Sequence, residues 1–123
     1  MTAVESRAIR LINGERARKG LTTLLPSDEL QAGARIHSRL MRDGHFFDHR
    51  GFGSRIAPHW AVSAENIAWR DIDPDEDEAK EVVDGWMGSS HHRLNMLEPT
   101  YKFVGIARVD NGVRAWWTAD FGG

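Results

Sequence analysis

The sequence predicts an α+β fold. Helical periodicity dominates its first half, and a helical run around residue 80 follows. Its last 22 residues carry two apolar stretches joined by Asp110-Asn111-Gly112, in which Asn-Gly marks a hairpin. Helices first and a hairpin last differ from the regular alternation of strand and helix that builds a parallel sheet.

Ala3 to Lys19 reads as the first helix, because Val4, Ala8, Leu11 and Ile12 recur at helical spacing and Gly20 stops the run. Leu21–Pro26 reads as a connector. Ser27 then suits the N-cap of a second helix reaching about Asp43, ended by Gly44, with Leu30, Ala34, His37 and Met41 as its buried stripe. Residues 45–63 read as irregular, and Asn66–Trp69 as a short strand. Asp73-Pro74-Asp75-Glu76 predicts the next helix start. Asp73 would cap it, Pro74 would take the first helical position and Glu76 would complete a capping box. That helix would bury Ala79, Val82, Val83 and Trp86. A short helix over Ser90–Leu97 follows, then strands over Lys102–Val109 and Val113–Phe121. Trp116 and Trp117 must point to opposite faces of the last strand. Trp60, Trp69 and Trp86 read as core residues.

Length and composition narrow the function. The chain has 123 residues, the size of one domain, and residues 1–123 read as a single unit. No stretch approaches the roughly 20 apolar residues that a membrane span needs. A net charge of −2 gives no global basicity for nucleic acid. That balance hides an asymmetry, +4 over residues 1–55 and −6 over residues 56–123, read as differently charged solvated faces. Cysteine is absent, which removes disulfides, thiolate metal sites and a cysteine nucleophile together. The first 20 residues contain no apolar signal core.

Several motifs fall short on their own. Asp71, Asp73, Asp75 and Asp77 alternate like the opening of a calcium loop, but Glu76 and Val82 stand where such a loop needs Gly and Glu. These acids instead suit a solvated loop and a helix N-terminus. Six histidines include no pair at a strong zinc spacing. His91 and His92, adjacent on a helix, would point about 100° apart. His37 lies in an apolar stripe, as a structural histidine does. Ser89 and His92 share a helix face and could form part of a hydrolytic triad, but the Gly-x-Ser-x-Gly elbow is missing and Ser89 also suits an N-cap.

Four separated segments together resemble the CAP superfamily, the SCP-like extracellular domain, in its bacterial single-domain branch. The first comprises Leu11-Ile12-Asn13, Glu15-Arg16, Gly20-Leu21, Leu24, Leu30, Ala34 and His37-Ser38. The second is Gly44-His45-Phe46-Phe47-Asp48-His49, and the third Ala64-Glu65-Asn66-Ile67-Ala68. The fourth runs from Trp86-Met87-Gly88-Ser89-Ser90-His91-His92-Arg93-Leu94-Asn95-Met96-Leu97 through Tyr101 and Val104-Gly105-Ile106 to Trp117-Thr118-Ala119-Asp120-Phe121-Gly122.

The resemblance implies a three-layer α-β-α sandwich around an antiparallel sheet. It also implies a cleft whose two histidines bind zinc or another divalent ion in some members. By motif position the metal residues are His49 and His92. The cleft comprises His49, Glu65, Ser89, His91 and His92. A second glutamate of animal and plant members is replaced here by Ser89. The bacterial Ser-Pro-Gly-His-Arg pattern becomes Ser89-Ser90-His91-His92-Arg93, and the stretch from His49 to Glu65 is shorter than usual. The resemblance implies export; the chain is expected to be a monomer, with a small ligand or an envelope component as partner. Three functions follow. The first is a binding domain of the bacterial envelope. The second is a metal-assisted or Ser–His hydrolase of peptide or wall material, with Glu65, Ser89 and His92 as catalytic candidates. The third is a lipid- or sterol-binding module.

Overall fold

The computed structural model describes residues 1–123. Helix α1, Ala3–Arg18, begins with a reciprocal capping box. The Thr2 side chain accepts from the Glu5 backbone, and the Glu5 carboxylate accepts from the Thr2 backbone. Leu25–Pro26 forms a two-residue strand, β1. Ser27 caps α2, Asp28–Gly44, by accepting from the Leu30 backbone, and His45 ends it in the left-handed region at φ 55°. One helical turn follows, α3, Phe52–Arg55, and then a 3₁₀ turn over Ala57–His59. Strand β2 is Ser63–Asp71, α4 Glu78–Met87, α5 Ser90–Met96, β3 Phe103–Asp110 and β4 Arg114–Gly122.

The sheet order is β1-β3-β4-β2. The β3–β4 hairpin forms its centre, β2 pairs antiparallel with β4, and β1 pairs parallel with β3. Asn111 makes the hairpin turn work. Its Oδ1 accepts from the Val113 and Arg114 backbones, while Gly112 takes φ +91°, a region open to glycine.

Period-two alternation divides the sheet into two faces. One face, with Val104, Ile106, Ala115, Trp117, Ala119 and Phe121, joins α1, α4 and α5 in the main core. Helix α2 covers the other. Met41 packs there with Ile67 and Trp116, and Ser38 hydrogen-bonds Thr118 at 2.8 Å. The result is helix, sheet and helix in three layers. A Cβ on Gly105 would stand 2.1 Å from the α2 backbone at Gln31, so a glycine in β3 permits the close seating of that helix. Two buried charges tie the layers together. Glu5 of α1 accepts from Arg35 of α2 and from the Arg108 backbone of β3. Arg16 donates to the carbonyls of Thr22, Met96, Glu98 and Tyr101.

Four sequence expectations need correction. The 21–26 connector ends in a strand, because Leu25 and Ser27 donate to the Lys102 and Val104 carbonyls. The short strand at 66–69 is the middle of a nine-residue one. Helix α4 starts at Glu78, not Pro74. Asp73 turns its carboxylate onto the Asp75 backbone, closing a local turn, and Asp77 caps the helix through Lys80. Trp86 and Trp117 are core, but Trp60 is only half-buried, and Trp69 is 43% exposed with the Arg114 guanidinium 3.9 Å from its ring.

Candidate functional site

The site gathers at the first half of β2, where the 45–52 segment meets α5. Glu65 is its centre. The alternation of β2 turns this side chain to the α2 face, opposite Asp120 of β4. It is 1% exposed, and both oxygens are occupied. Oε1 accepts from His49 Nδ1 at 3.0 Å and lies 3.6 Å from His37 Nε2, while Oε2 accepts from Arg55 at 2.7 Å. Arg55 also donates to Asp120 Oδ2 at 2.9 Å, so one guanidinium of α3 joins two buried carboxyls.

The two carboxyls titrate apart. Burial alone would raise Glu65, but hydrogen bonds from Asp120 and Arg55, with the charges of Arg55 and His37, hold it below the usual carboxylate range. Burial, then the hydrogen bond and charge of Glu65, push Asp120 well above that range. The opposite directions of the two shifts favour one negative charge over two against the single guanidinium of Arg55.

His37 positions the segment that bears His49. It is fully buried on α2, and its Nε2 donates to the Asp48 carbonyl at 2.7 Å. Burial lowers its pKa below the ordinary imidazole value. The Arg50 guanidinium lies 3.9 Å from the Phe46 ring and pairs with the Asp48 carboxylate. These contacts fix the turn before α3 and leave the His49 side chain 47% exposed.

The second imidazole comes from α5. Asn66 ties this helix to β2 by donating to the His92 carbonyl at 3.0 Å and accepting from Asn95 at 2.9 Å. His92 Nδ1 lies 2.9 Å from Ser89 Oγ. Ser89 occupies the N-cap position of α5, but its hydroxyl serves His92 and not the helix backbone. Burial, then His91 and His49, lower the pKa of His92.

The structure places the sequence-predicted cleft residues in two neighbouring hollows. His49, Glu65 and His91 line one of about 230 Å³, together with Phe52, Ala64 and Asn95. Ser89 and His92 line the other, of about 260 Å³, between β2 and α4. His91 lines the first hollow and His92 the second, with their rings 6.1 Å apart edge to face. No three His, Asp or Glu side chains converge as a set able to hold a metal ion.

The donor chemistry still suits a divalent ion at two positions. An ionised Glu65 can only accept, so His49 Nδ1 carries the proton and the lone pair lies on Nε2. A His92 whose Nδ1–H donates to Ser89 presents Nε2 likewise. Arg55, His37 and Asp120 are the site residues that the sequence reading did not place there. His37 left a signal as a histidine in an apolar stripe and Asp120 as an acid at an inward position of an apolar strand, whereas Arg55 left none.

Residues 9–121 match the CAP family, described as the cysteine-rich secretory protein family. The uncharacterized protein YkwD of Bacillus subtilis (strain 168) is 33% identical over 129 residues, spanning 98% of this chain. The chain covers 48% of YkwD and 34% of YlbC, a membrane protein of the same organism, so it spans half or less of the curated relatives it matches. An outer surface protein from Borrelia burgdorferi shares the fold with a TM-score of 0.82 at 17% identity, over 97% of this chain and 91% of that one. An extracellular protein from Bacillus anthracis str. Ames containing an SCP domain aligns with a TM-score of 0.78 at 25% identity, over 96% of this chain and 39% of that one. NaASP2, solved with Zn²⁺, aligns with a TM-score of 0.78 at 12% identity, over 99% and 80% of the two chains. No helix of the present chain is long and apolar enough to cross a membrane. With the family match running from α1 to β4 on a three-layer α-β-α frame, the chain belongs to the CAP family.

Proposed function

We propose that residues 1–123 form one extracellular or envelope CAP-type binding domain, whose cleft presents His49 and His92 to a divalent ion or a small polar ligand. One observation carries this reading. Each ring has its Nδ1 engaged by a side-chain oxygen, Glu65 for His49 and Ser89 for His92. Such outer contacts orient metal-binding imidazoles and leave Nε2 as the donor. Zinc suits imidazole nitrogen, and two protein ligands leave positions open for water or a polar ligand. The zinc-bearing NaASP2 structure and the extracellular Bacillus anthracis protein support the metal and the location.

The arrangement favours binding over turnover. Both oxygens of Glu65 are occupied, so it orients His49 and is not a free base. Ser89 faces His92, but no carboxylate pairs with the His92 ring as a triad requires. The hollows are open and part polar, unlike the enclosed apolar cavities that hold lipid tails.

Zinc titration by calorimetry tests the reading. The wild-type chain should bind one ion, with affinity falling at least tenfold in His49→Ala and in His92→Ala. Unchanged affinity in both variants, or no binding at millimolar zinc, overturns it.

A further inference from the structure

Strand β2 is the outer strand of the sheet, and its ladder fixes which backbone groups face outward. Val62 and Gly123 exchange both of their backbone bonds, at 3.3 and 3.0 Å, and Ile72 donates to Val113 at 2.8 Å. Hydrogen-bonded pairs recur at every second residue of an antiparallel ladder. With the observed register, Ala64, Asn66, Ala68 and Arg70 bond inward to β4. Glu65, Ile67, Trp69 and Asp71 therefore turn their N–H and C=O groups to the open edge.

The chain covers only the first part of that edge. Asn95 donates to the Glu65 carbonyl at 3.5 Å, and the Trp86 indole to the Ile67 carbonyl at 3.0 Å. Beyond the indole, the N–H groups of Ile67, Trp69 and Asp71 and the carbonyls of Trp69 and Asp71 have no strand beside them. This bare stretch borders two hollows that share Trp69, Arg70 and Glu81. One lies between β2 and α4 and ends at Ser89 and His92. The other, of about 600 Å³, is lined by Asp71, Asp73, Glu76 and Glu81. Its one lining cation, Arg70, pairs with Glu81, and Arg114 pairs with Asp71, so Asp73 and Glu76 are the acids there without a cation. The hydrogen bond and charge of Glu81 push the Glu76 carboxyl up to about 7, because the two acids crowd each other.

We propose that the outer edge of β2 from Ile67 to Asp71 is a strand-pairing site for an extended basic peptide of a partner protein. Free main-chain groups supply the pairing, and pockets flanking the edge read alternate side chains, as in other strand-addition complexes. Five residues at about 3.3 Å each give an edge of ordinary strand length. The acidic hollow selects Lys or Arg side chains. A second copy of this chain fits poorly, because a two-fold edge pairing would set the same acids against one another. Native proteins usually protect such edges, and here Trp86 and Asn95 protect only half of it. The site does not depend on metal binding at His49 and His92.

Amide NMR of the full chain tests this, titrated with nonapeptides carrying Lys at alternate positions and Val, Thr or Ile between. The Lys peptides should shift the Ile67, Trp69 and Asp71 amides and slow their hydrogen exchange at least tenfold. Glu counterparts, and Lys peptides N-methylated at alternate backbone positions, should bind at least tenfold more weakly. The double variant Asp73→Asn, Glu76→Gln should weaken Lys-peptide binding and leave zinc binding unchanged. The proposal fails if no Lys peptide moves those three amides, or if N-methylated peptides bind as well. It fails too if protein concentration alone moves the amides, which would make the occupant a second copy.

Discussion

Glu65 and Asp120 oppose each other across the β2–β4 ladder, and the single guanidinium of Arg55 holds both carboxyls. The inner wall of the cleft is therefore a three-membered charge cluster contributed by β2, β4 and α3. His49, the exposed ring, sits on its outer side through Glu65.

Asp120→Asn should mimic the protonated acid. The raised pKa of Asp120 means that it contributes stability below the ordinary carboxylate value, lost as pH rises through the folded value. Glu65 acts oppositely, with its contribution lost as pH falls through its depressed value. Urea unfolding across roughly pH 4–8 should show the variant gaining on wild type as pH rises, because wild type must take up a proton on folding and the amide need not. No gain across that range would show that Asp120 is ionised throughout it.

Arg55→Ala removes the only guanidinium from two carboxyls that are 1% and 0% exposed. Breaking a buried pair by deleting one partner costs about 3–5 kcal/mol. The variant should lose about that much at neutral pH and recover part of it in mild acid, where Glu65 can take a proton. Arg55→Lys should fall between, because a point charge cannot bridge two carboxyls as a planar fork does.

Zinc affinity should depend on pH through His92. Its pKa is lowered by burial, then by His91 and His49, so protons compete for its ring only below the ordinary imidazole value of about 6.5. Affinity limited by His92 should be flat above that pH and fall below it. Ser89→Ala, which frees the His92 ring to rotate, should cost about tenfold in affinity with the fold intact. Calorimetry across roughly pH 5–8 measures both effects.

Gly105→Ala should be among the most damaging single-methyl changes in the chain. The added Cβ meets the α2 backbone at 2.1 Å from Gln31 N and from Leu30 C, and backbone cannot swing aside as a side chain can. Overpacking typically costs about 1–3 kcal/mol, and a clash with backbone should reach or exceed the top of that range. Thermal unfolding followed by circular dichroism measures the loss. Gly14→Ala, with nothing near the new methyl, is the control.

What the sequence disclosed followed from local rules. Ser27 caps α2 as its side-chain type dictates, and the stripe Leu30, Ala34, His37 and Met41 is fully buried as the helical period requires. The Asn111-Gly112 turn sits where the dipeptide marks it. Misreadings arose where two residues could play one part. Asp73 and Asp77 both cap in principle, and only the path of the chain chose Asp77. Strand β1 was invisible because two residues carry no period, and its partner lies almost eighty positions away. At the site, the histidines and Glu65 stood out through their motifs. Arg55 did not, since an arginine in an irregular stretch looks like any solvated cation until folding sets it beside two carboxyls.

The sheet order carries a temporal consequence. Its two central strands, β3 and β4, lie at the end of the chain, and both helical layers rest on them. During ribosomal synthesis α1 and α2 emerge with no surface to cover, and the β2 edge has no ladder to join. Cooperative folding must wait until about residue 122 has been made. The nascent polypeptide stays open until then, with the apolar faces of its first two helices uncovered.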